Sequence, residues 1–584
     1  MRRGFRATPL RWTAVLFTGA VLSSTQAHAQ EASTQPNYLP QPGHSESVPI
    51  GAVSVKLRTS SGDKARDVEA LGAVQKLAAN LQGENFDLIR VTRLLRQIER
   101  QVAVRKLDYD LLPLGANAMR IRLLVDAAPT EEAQSLPKGV LAGEGGALSD
   151  FPILYKSDRS LLTAIVAGGL GVYSDGNAWF GQPELFNQYN PLAGHLPGAS
   201  TAWTEGSLEL GAGFASQLGD APLYAFGALT GMKTWSIGQD IYTDETRDFD
   251  KIEKAYAGLL WVDKDTRNFA KLSVGGQTFT LNDGFLVNLV KGSVNAGDRG
   301  ATYLGPRLAS QFSVLANGRF GPWGFNAFYI DPSELEQTDT HSSYLGANLK
   351  HAFSDNVSLD ATVMTITSSE STYANPGKLD LPRQGTSVAA AHMLWKNLLI
   401  DGVFVEGELG HEWNPDYAMS AWAGYGTIGY IARRLPWTPS ISFRYAAFSG
   451  DDPDTKTYER WDPMLNSGLG IWLQGVSFGK VTTNSNLATE RIQLNLVPVE
   501  QLNVTFDYHR LTAPELNNLG SNPAISTFSS HQLGQEFTAT ARWALNRNLY
   551  LQSVASYALP GEALRDIGAD KPWSTLQLSV YWGL

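Results

Sequence analysis

The final segment of the chain constrains its fold more than any other feature. Between Trp573 and the C-terminus, apolar and polar side chains alternate one by one. One face carries Leu576, Leu578, Val580, Trp582 and Leu584, and the other carries Thr575, Gln577, Ser579, Tyr581 and Gly583. A period of two predicts a β-strand that separates an apolar environment from a polar one. Residues 491–496, 502–509 and 536–543 repeat the pattern.

Alternation alone does not distinguish a membrane barrel from a water-soluble β-sandwich, whose strands also have one apolar face. Aromatic residues decide between them, because Trp422, Tyr430 and Trp543 stand near strand ends, as the interfacial girdles of a membrane protein require. We therefore predict an all-β transmembrane barrel of about 18 antiparallel strands over residues 151–584.

The N-terminal residues predict export. Arg2, Arg3, Arg6 and Arg11 precede or flank an apolar run from Trp12 to Leu22, and Ala27-His28-Ala29 forms a cleavage site, so residues 1–29 read as a signal peptide. The chain has no cysteine, so no disulfide stabilises it in the oxidising periplasm, and barrel closure can supply that stability. We expect the outer membrane of a Gram-negative cell.

A small domain is predicted in front of the barrel. Residues 30–47 are polar and Pro-bearing and form a disordered leader. Residues 48–127 then give a strand at Val53–Leu57, helical spacing over Asp63–Asn80 and Asn85–Gln101, and two more alternating segments. This order predicts an α+β unit, β-α-α-β-β. Residues 128–150 are a flexible linker by composition.

One long motif resembles a known family. Ser442–Thr455 (SFRYAAFSGDDPDT) leads into Tyr458–Met464 (YERWDPM). It resembles the strand-plus-loop signature of the alginate export family of outer-membrane porins. Residues 272–284 and 531–536 resemble two further strands of that family, so the resemblance covers about residues 155–584. Gly276 and Phe285 stand where the family has arginines, which removes cations that a polyuronate path would use.

The N-terminal unit resembles a POTRA domain in its element order and its position before a barrel. That resemblance implies periplasmic docking, in which a partner adds a strand to the edge of the small sheet. A generic α+β spacer is the alternative.

Alternation also predicts which charged side chains face the lumen. The expected lumen residues are Arg307, Lys350, Arg444, Arg491, Arg542, Asp360, Glu406, Glu408, Asp507 and Glu536. In a water-filled pore such residues set ion and solute selectivity. The arginines can grip an anionic polysaccharide bidentately; alternatively, the two signs neutralise each other and stiffen the wall.

The motif loop is rich in carboxylates. Its acidic residues are Asp451, Asp452, Asp454, Glu459 and Asp462. Oxygen ligands of this kind suit Ca²⁺, although the spacing is not that of an EF-hand. Solvated loop carboxylates are the alternative.

The sequence gives little support for catalysis. It contains no H-E-x-x-H and no P-loop, and the hints at a catalytic pair are His509 beside Asp507 and His531 near Glu536. We expect no enzyme and no cofactor. The net charge of -10 argues against nucleic-acid binding.

The function expected from these features is a channel that conducts an exopolysaccharide or another hydrophilic polymer across the outer membrane. Its expected partners are membrane lipid, the barrel-insertion machinery, the polysaccharide cargo and periplasmic export proteins that bind residues 48–127. A protein translocase or assembly factor and a general solute porin remain as alternatives.

Overall fold

The computed structural model describes most of the predicted barrel and part of the region before it. The described residues are 50–82, isolated positions between 86 and 102, 104–113, 119–127, 140–141, 153–156, 159–188, 190, 197–263, 268–288, 290, 297–354, 356–374, 381–466, 472–546 and 548–583. The predicted signal peptide and leader lie outside these residues, as do most of the predicted linker and most of the second predicted helix.

The N-terminal unit is a small mixed sheet with a helix on one face. Its elements are β1 (Ile50–Thr59), α1 (Lys64–Ala78), β2 (Val104–Pro113) and β3 (Met119–Ala127). The strand order is β1-β3-β2, with β1 parallel and β2 antiparallel to the central β3. Asp63 caps the helix by accepting a hydrogen bond from the backbone N–H of Ala65 at 2.9 Å. The POTRA identity of this unit stays a prediction.

Eighteen antiparallel strands of the described chain close into a barrel, which confirms the predicted fold class and strand number. Closure is completed where β25 pairs with β6, at Gly583 and Ala167. The barrel strands are β6 (Ser160–Gly176), β7 (Thr201–Gln217), β8 (Leu223–Gln239), β9 (Arg247–Val262), β10 (Phe269–Gly276), β11 (Phe312–Phe320), β12 (Trp323–Asp331), β13 (Ser343–Ala352), β14 (Val357–Ser368), β17 (Ser387–Lys396), β18 (Val403–Trp413), β19 (Ala421–Ile431), β20 (Ser440–Phe448), β21 (Leu487–Val499), β22 (Leu502–Thr512), β23 (Gln532–Asn546), β24 (Leu549–Pro560) and β25 (Trp573–Gly583).

Short strands and helices lie before the wall strands or in the connections between them. They are the short strands β4 (Val140–Leu141) and β5 (Ile153–Lys156), the hairpin of β15 (Thr372–Tyr373) with β16 (Leu381–Pro382), and the short helices α2 (Pro183–Asn187), α3 (Phe478–Val481) and α4 (Glu562–Arg565). Single 3-10 turns lie at Ala79–Leu81, Ala178–Gly181, Gly297–Arg299 and Pro523–Ile525. Among the described residues, no helix is both long enough and apolar enough to cross a membrane.

The two faces of the wall differ as the alternation predicts. Large apolar side chains are exposed on the outside, for example Leu409, Ile428 and Phe506. Polar side chains such as Thr505 and Gln577 are buried on the inside. An apolar exterior of this extent is the surface of a protein that lies in lipid.

Connections differ between the two ends of the barrel. Turns such as 321–322 and 500–501 are short, whereas the connections at the other end include 277–311 and 449–486. The N-terminal sheet contacts the short-turn end, where Arg120 and Arg122 lie 3.2 Å and 2.9 Å from the carboxylate of Glu500.

Candidate functional site

Two long connections fold into the barrel and meet there. We call the described residues of 277–311 loop A and the described residues of 449–486 loop B. Val287 of loop A forms a β-bridge with Leu465 of loop B. The backbone N–H of Asn288 donates to the Leu465 carbonyl at 3.1 Å, and the N–H of Leu465 donates to the Leu286 carbonyl at 3.2 Å. The two loops therefore pack as one body inside the lumen.

An aromatic cluster joins this body to the wall. Its centre is Phe285 of loop A, whose ring centroid lies 5.2 Å from Trp472 and 6.0 Å from Trp461, both in loop B. Tyr425 of β19 packs on Trp472 at 4.6 Å and on Phe285 at 5.7 Å. Phe285 therefore packs both loops against the wall.

Four of the five predicted lumen cations lie on the inner face of barrel strands. Lys350 of β13 stands opposite Asp360 of β14. Arg491 of β21 donates from Nε to Asp507 Oδ1 at 2.8 Å. Arg542 of β23 donates from Nε to the amide oxygen of Gln552 at 3.2 Å.

Arg444 contacts both the wall and loop B. It donates from Nε to Thr427 Oγ1 at 2.8 Å, and its Nη2 lies 3.8 Å from the carboxylate of Glu406. The guanidinium lies 4.6 Å from the ring centroids of Tyr425 and Trp472, which is a cation-π geometry. Arg444 thus connects the wall to loop B.

The prediction that Arg307 lies on an alternating strand is wrong, because β11 begins only at Phe312 and Arg307 belongs to loop A. Its side chain is nevertheless buried. Nη1 lies 3.8 Å from Glu253 of β9, and the guanidinium lies 4.8 Å from the ring centroid of Phe249.

The predicted lumen carboxylates have different surroundings. Glu406 lies 3.4 Å from Nε2 of His392, whose Nδ1 contacts Asp360 at 2.8 Å. Glu408 is buried, and its Oε2 has no hydrogen-bond partner among the described residues. Glu536 accepts backbone hydrogen bonds from loop B.

Most of these charges form a row across neighbouring strands from β13 to β23. We call it the charged row; its members are Lys350, Asp360, His392, Glu406, Glu408, Arg444, Arg491, Asp507, His509 and Glu536. Opposite signs alternate along much of it, but Arg444 and Arg491 are direct neighbours in register. The row thus has a locally positive step among charges of mostly alternating sign.

The five carboxylates of the motif loop are not gathered around one point. Asp451 accepts from the N–H of Glu459, and Asp452 accepts from the N–H of Asp454. Asp462 is paired with Arg383, whose Nε and Nη2 lie 2.6 Å and 2.9 Å from its two oxygens. Within the described ranges, no group of three or more His, Asp or Glu side chains is arranged to hold a metal ion.

Asp462 has a distinct electrostatic environment. Burial alone raises the pKa of its carboxyl, but the Arg383 guanidinium and the hydroxyl of Tyr373 outweigh that effect and lower it below its ordinary value. Asp462 is therefore ionised at neutral pH and anchors loop B to the connection between β14 and β17.

Sequence reasoning missed two wall residues, Glu205 of β7 and Glu253 of β9. Both are buried and accept hydrogen bonds from the backbone of loop A. The alternation of Trp203, Glu205 and Ser207 with small or apolar residues indicates an inward side chain. It carries no information on which loop that side chain holds.

Comparison with known proteins identifies the family. The model of the family described as "Alginate export" matches residues 231–571, which is more than half of the chain. The chain belongs to the alginate export family. This confirms the resemblance carried by Ser442–Met464. Members of this family are transport channels of the outer membrane, and this barrel is an outer-membrane porin or channel.

Solved structures give further similarity in fold. The chain is similar to OpdQ of Pseudomonas aeruginosa, with 11% identity, a TM-score of 0.46 and coverage of 74% of this chain and 99% of that one. OccK5 (OpdH) of Pseudomonas aeruginosa and OccAB2 of Acinetobacter baumannii each have 10% identity, a TM-score of 0.45 and coverage of 72% of this chain and 98% of theirs. No curated protein matches this chain in sequence.

Proposed function

We propose that this channel conducts an exopolysaccharide or another hydrophilic polymer outward across the outer membrane, and that loops A and B close it in the form described here. The observation that carries the proposal is the charged row on the inner face of a wall whose outer face is apolar. A barrel of 16 to 18 strands encloses an aqueous channel when its lumen is free of loops.

The cargo class follows from the chemistry of this inner face. Serine, threonine, asparagine and glutamine side chains surround the charged row, for example Asn495, Thr505 and Gln577. They offer donors and acceptors to sugar hydroxyls along the whole path. The neighbouring Arg444 and Arg491 supply a positive step that favours a polymer carrying carboxylates.

The N-terminal unit is proposed to lie in the periplasm and to bind export partners. Its sheet contacts the barrel at the short-turn end through Arg122 and Glu500, and short turns are periplasmic in outer-membrane barrels. Residues 1–29 would direct export, and the insertion machinery would recognise the final strand.

A protein translocase is the second candidate, favoured by the small mixed sheet before the barrel. Translocases of this kind carry an Arg-Gly-aromatic motif in a lumen loop. Here Asp298-Arg299-Gly300 is followed by Ala301, and the Arg299 guanidinium lies over Phe249 with 4.9 Å to the ring centroid. The missing aromatic residue favours the polymer channel.

Deletion of the gene tests the proposal, with secreted polysaccharide and secreted protein measured separately in the same culture. We expect secreted polysaccharide to fall, periplasmic polymer to accumulate, and protein secretion to stay at the wild-type level. Complementation with the full chain should restore export. Unchanged polysaccharide together with lost protein secretion would establish the translocase instead.

A further inference from the structure

Loop A is fixed to the wall by two buried carboxylates. Glu205 accepts hydrogen bonds through Oε2 from the backbone N–H groups of Tyr303 at 2.9 Å and Leu304 at 2.6 Å. Glu253 accepts through Oε1 from the N–H groups of Leu308 at 2.6 Å and Ala309 at 2.9 Å. Each glutamate therefore binds two consecutive N–H groups of the same loop.

Loop B is fixed in the same manner by Glu536. This carboxylate accepts from the consecutive N–H groups of Val476, Ser477 and Phe478, with 3.1 Å and 3.0 Å for the last two, and from the hydroxyl of Ser556. Gly475 permits the approach, because its φ is 87° and a Cβ there would lie 2.4 Å from Oε2 of Glu536.

Consecutive backbone N–H groups form a concavity that binds acceptor oxygens, and a buried carboxyl group fills it with hydrogen bonds. The three glutamates lie on β7, β9 and β23, within one arc of the barrel that includes the closure between β25 and β6. Most of the charged row occupies the remaining arc. The loops are thus held by carboxyl groups on one arc of the wall and by the rings and charges of Tyr425 and Arg444 on the other.

We propose that Glu205, Glu253 and Glu536 are the latches of a two-loop gate. Opening of the channel requires loops A and B to release these carboxylates, after which the charged row lines the free lumen. The three residues act by positioning the loops. The inference rests on the proposed function only for the identity of the cargo, because an open gate conducts small ions whatever polymer it carries.

Single-channel conductance of the purified full chain in planar bilayers tests the latches. Glu205→Gln and Glu536→Gln keep the side-chain shape but replace one acceptor oxygen by an NH2 group, which cannot accept a hydrogen bond. Both oxygens of each glutamate accept hydrogen bonds, so each substitution removes at least one of them, and we expect the open probability to rise about fivefold. Glu490→Gln is the matched control, because Glu490 is a half-exposed strand glutamate that pairs with Arg510.

A reversible lock provides the second variant. The chain has no native cysteine, and the hydroxyls of Ser477 in loop B and Thr575 in β25 lie 3.2 Å apart, close enough for a disulfide between cysteines at these positions. Oxidised Ser477→Cys/Thr575→Cys should hold loop B closed and abolish the openings caused by Glu536→Gln, and reduction should restore them.

Two results would overturn the latch proposal. The first is a wild-type open probability in Glu205→Gln, Glu536→Gln and their combination, in protein that still migrates as a folded barrel. The second is that the openings of Glu536→Gln persist unchanged when the lock in the same chain is oxidised. Polysaccharide export plays no part in this readout, so failure of the cargo assignment is distinguished from failure of the gate.

Discussion

Arg444 lies where the inner wall meets loop B. Its guanidinium contacts Thr427, Glu406 and two aromatic rings, and its Nη1 has no hydrogen-bond partner in the described part of the chain. A buried cation with spare donor capacity is available to an anion that enters the open lumen.

Reversal of this charge should change ion selectivity. Arg444→Glu places a carboxylate beside Glu406 and removes the positive step shared with Arg491, so we expect the reversal potential in a KCl gradient to shift towards cation selectivity. Arg542→Glu should shift it in the same direction. Arg510→Glu is the control, since Arg510 is a half-exposed arginine that pairs with Glu490. No shift in either inner-face variant would contradict the assignment of these residues to the conducting path.

Some residue assignments could be made from the sequence and others could not. The inner-face positions of Arg444, Arg491 and Arg542 follow from alternation, which is a local property of a strand. Arg307 could not be assigned in this way, because it lies in a loop that folds back on β9. Phe285 reads as a missing arginine in the sequence, and only the packing on Trp461 and Trp472 explains it.

At the level of elements, strands and loops differ in how far the sequence predicts them. The strands of the wall repeat one alternating pattern with two distinct faces, so a short stretch of sequence is enough to predict each strand and the face that points inward. The inward folding of loops A and B depends on contacts such as Val287 with Leu465, between residues far apart in the chain. No local pattern contains that pairing.

The ion pair between Arg58 of β1 and Asp126 of β3 gives a prediction for the stability of the N-terminal unit. Arg58 donates from Nε to Asp126 at 2.9 Å, and this hydrogen bond holds the pKa of the Asp126 carboxyl below its ordinary value. Asp126→Asn should lower the free energy of unfolding of the unit by about 0.5 to 1 kcal/mol, since the guanidinium is partly exposed. Hydrogen exchange of β3 amides in the full chain across a urea titration measures this change.

The same pair predicts a pH dependence. The pKa of the Asp126 carboxyl is lower in the folded unit than in the unfolded chain, where it is about 4. The ion pair therefore stabilises the folded unit fully above that pH, and this stabilisation disappears as the pH falls through the pKa of the folded state. The difference between wild type and Asp126→Asn should therefore persist at pH 5 and vanish in stronger acid. Glu69→Gln on the exposed face of α1 is the control. Equal effects of the two substitutions at pH 7 would refute the role of this ion pair.

The whole molecule combines an apolar outer surface that suits lipid, a polar and charged inner wall, and two loops packed between opposite arcs of that wall. Family membership and the closed barrel establish the channel. The cargo and the gate rest on the charged row and on the three latch glutamates, which the sequence alone could not connect to each other.

Polymer flux through the purified channel tests this account most directly. The full chain carrying Glu205→Gln and Glu536→Gln would be placed in liposomes loaded with a fluorescent polyuronate, alone or combined with the Ser477→Cys/Thr575→Cys lock. We predict release of the polymer without the lock, retention when the lock is oxidised, and release again after reduction. Retention of the polymer in every case, while small ions pass freely, would contradict a polymer channel and identify a solute porin.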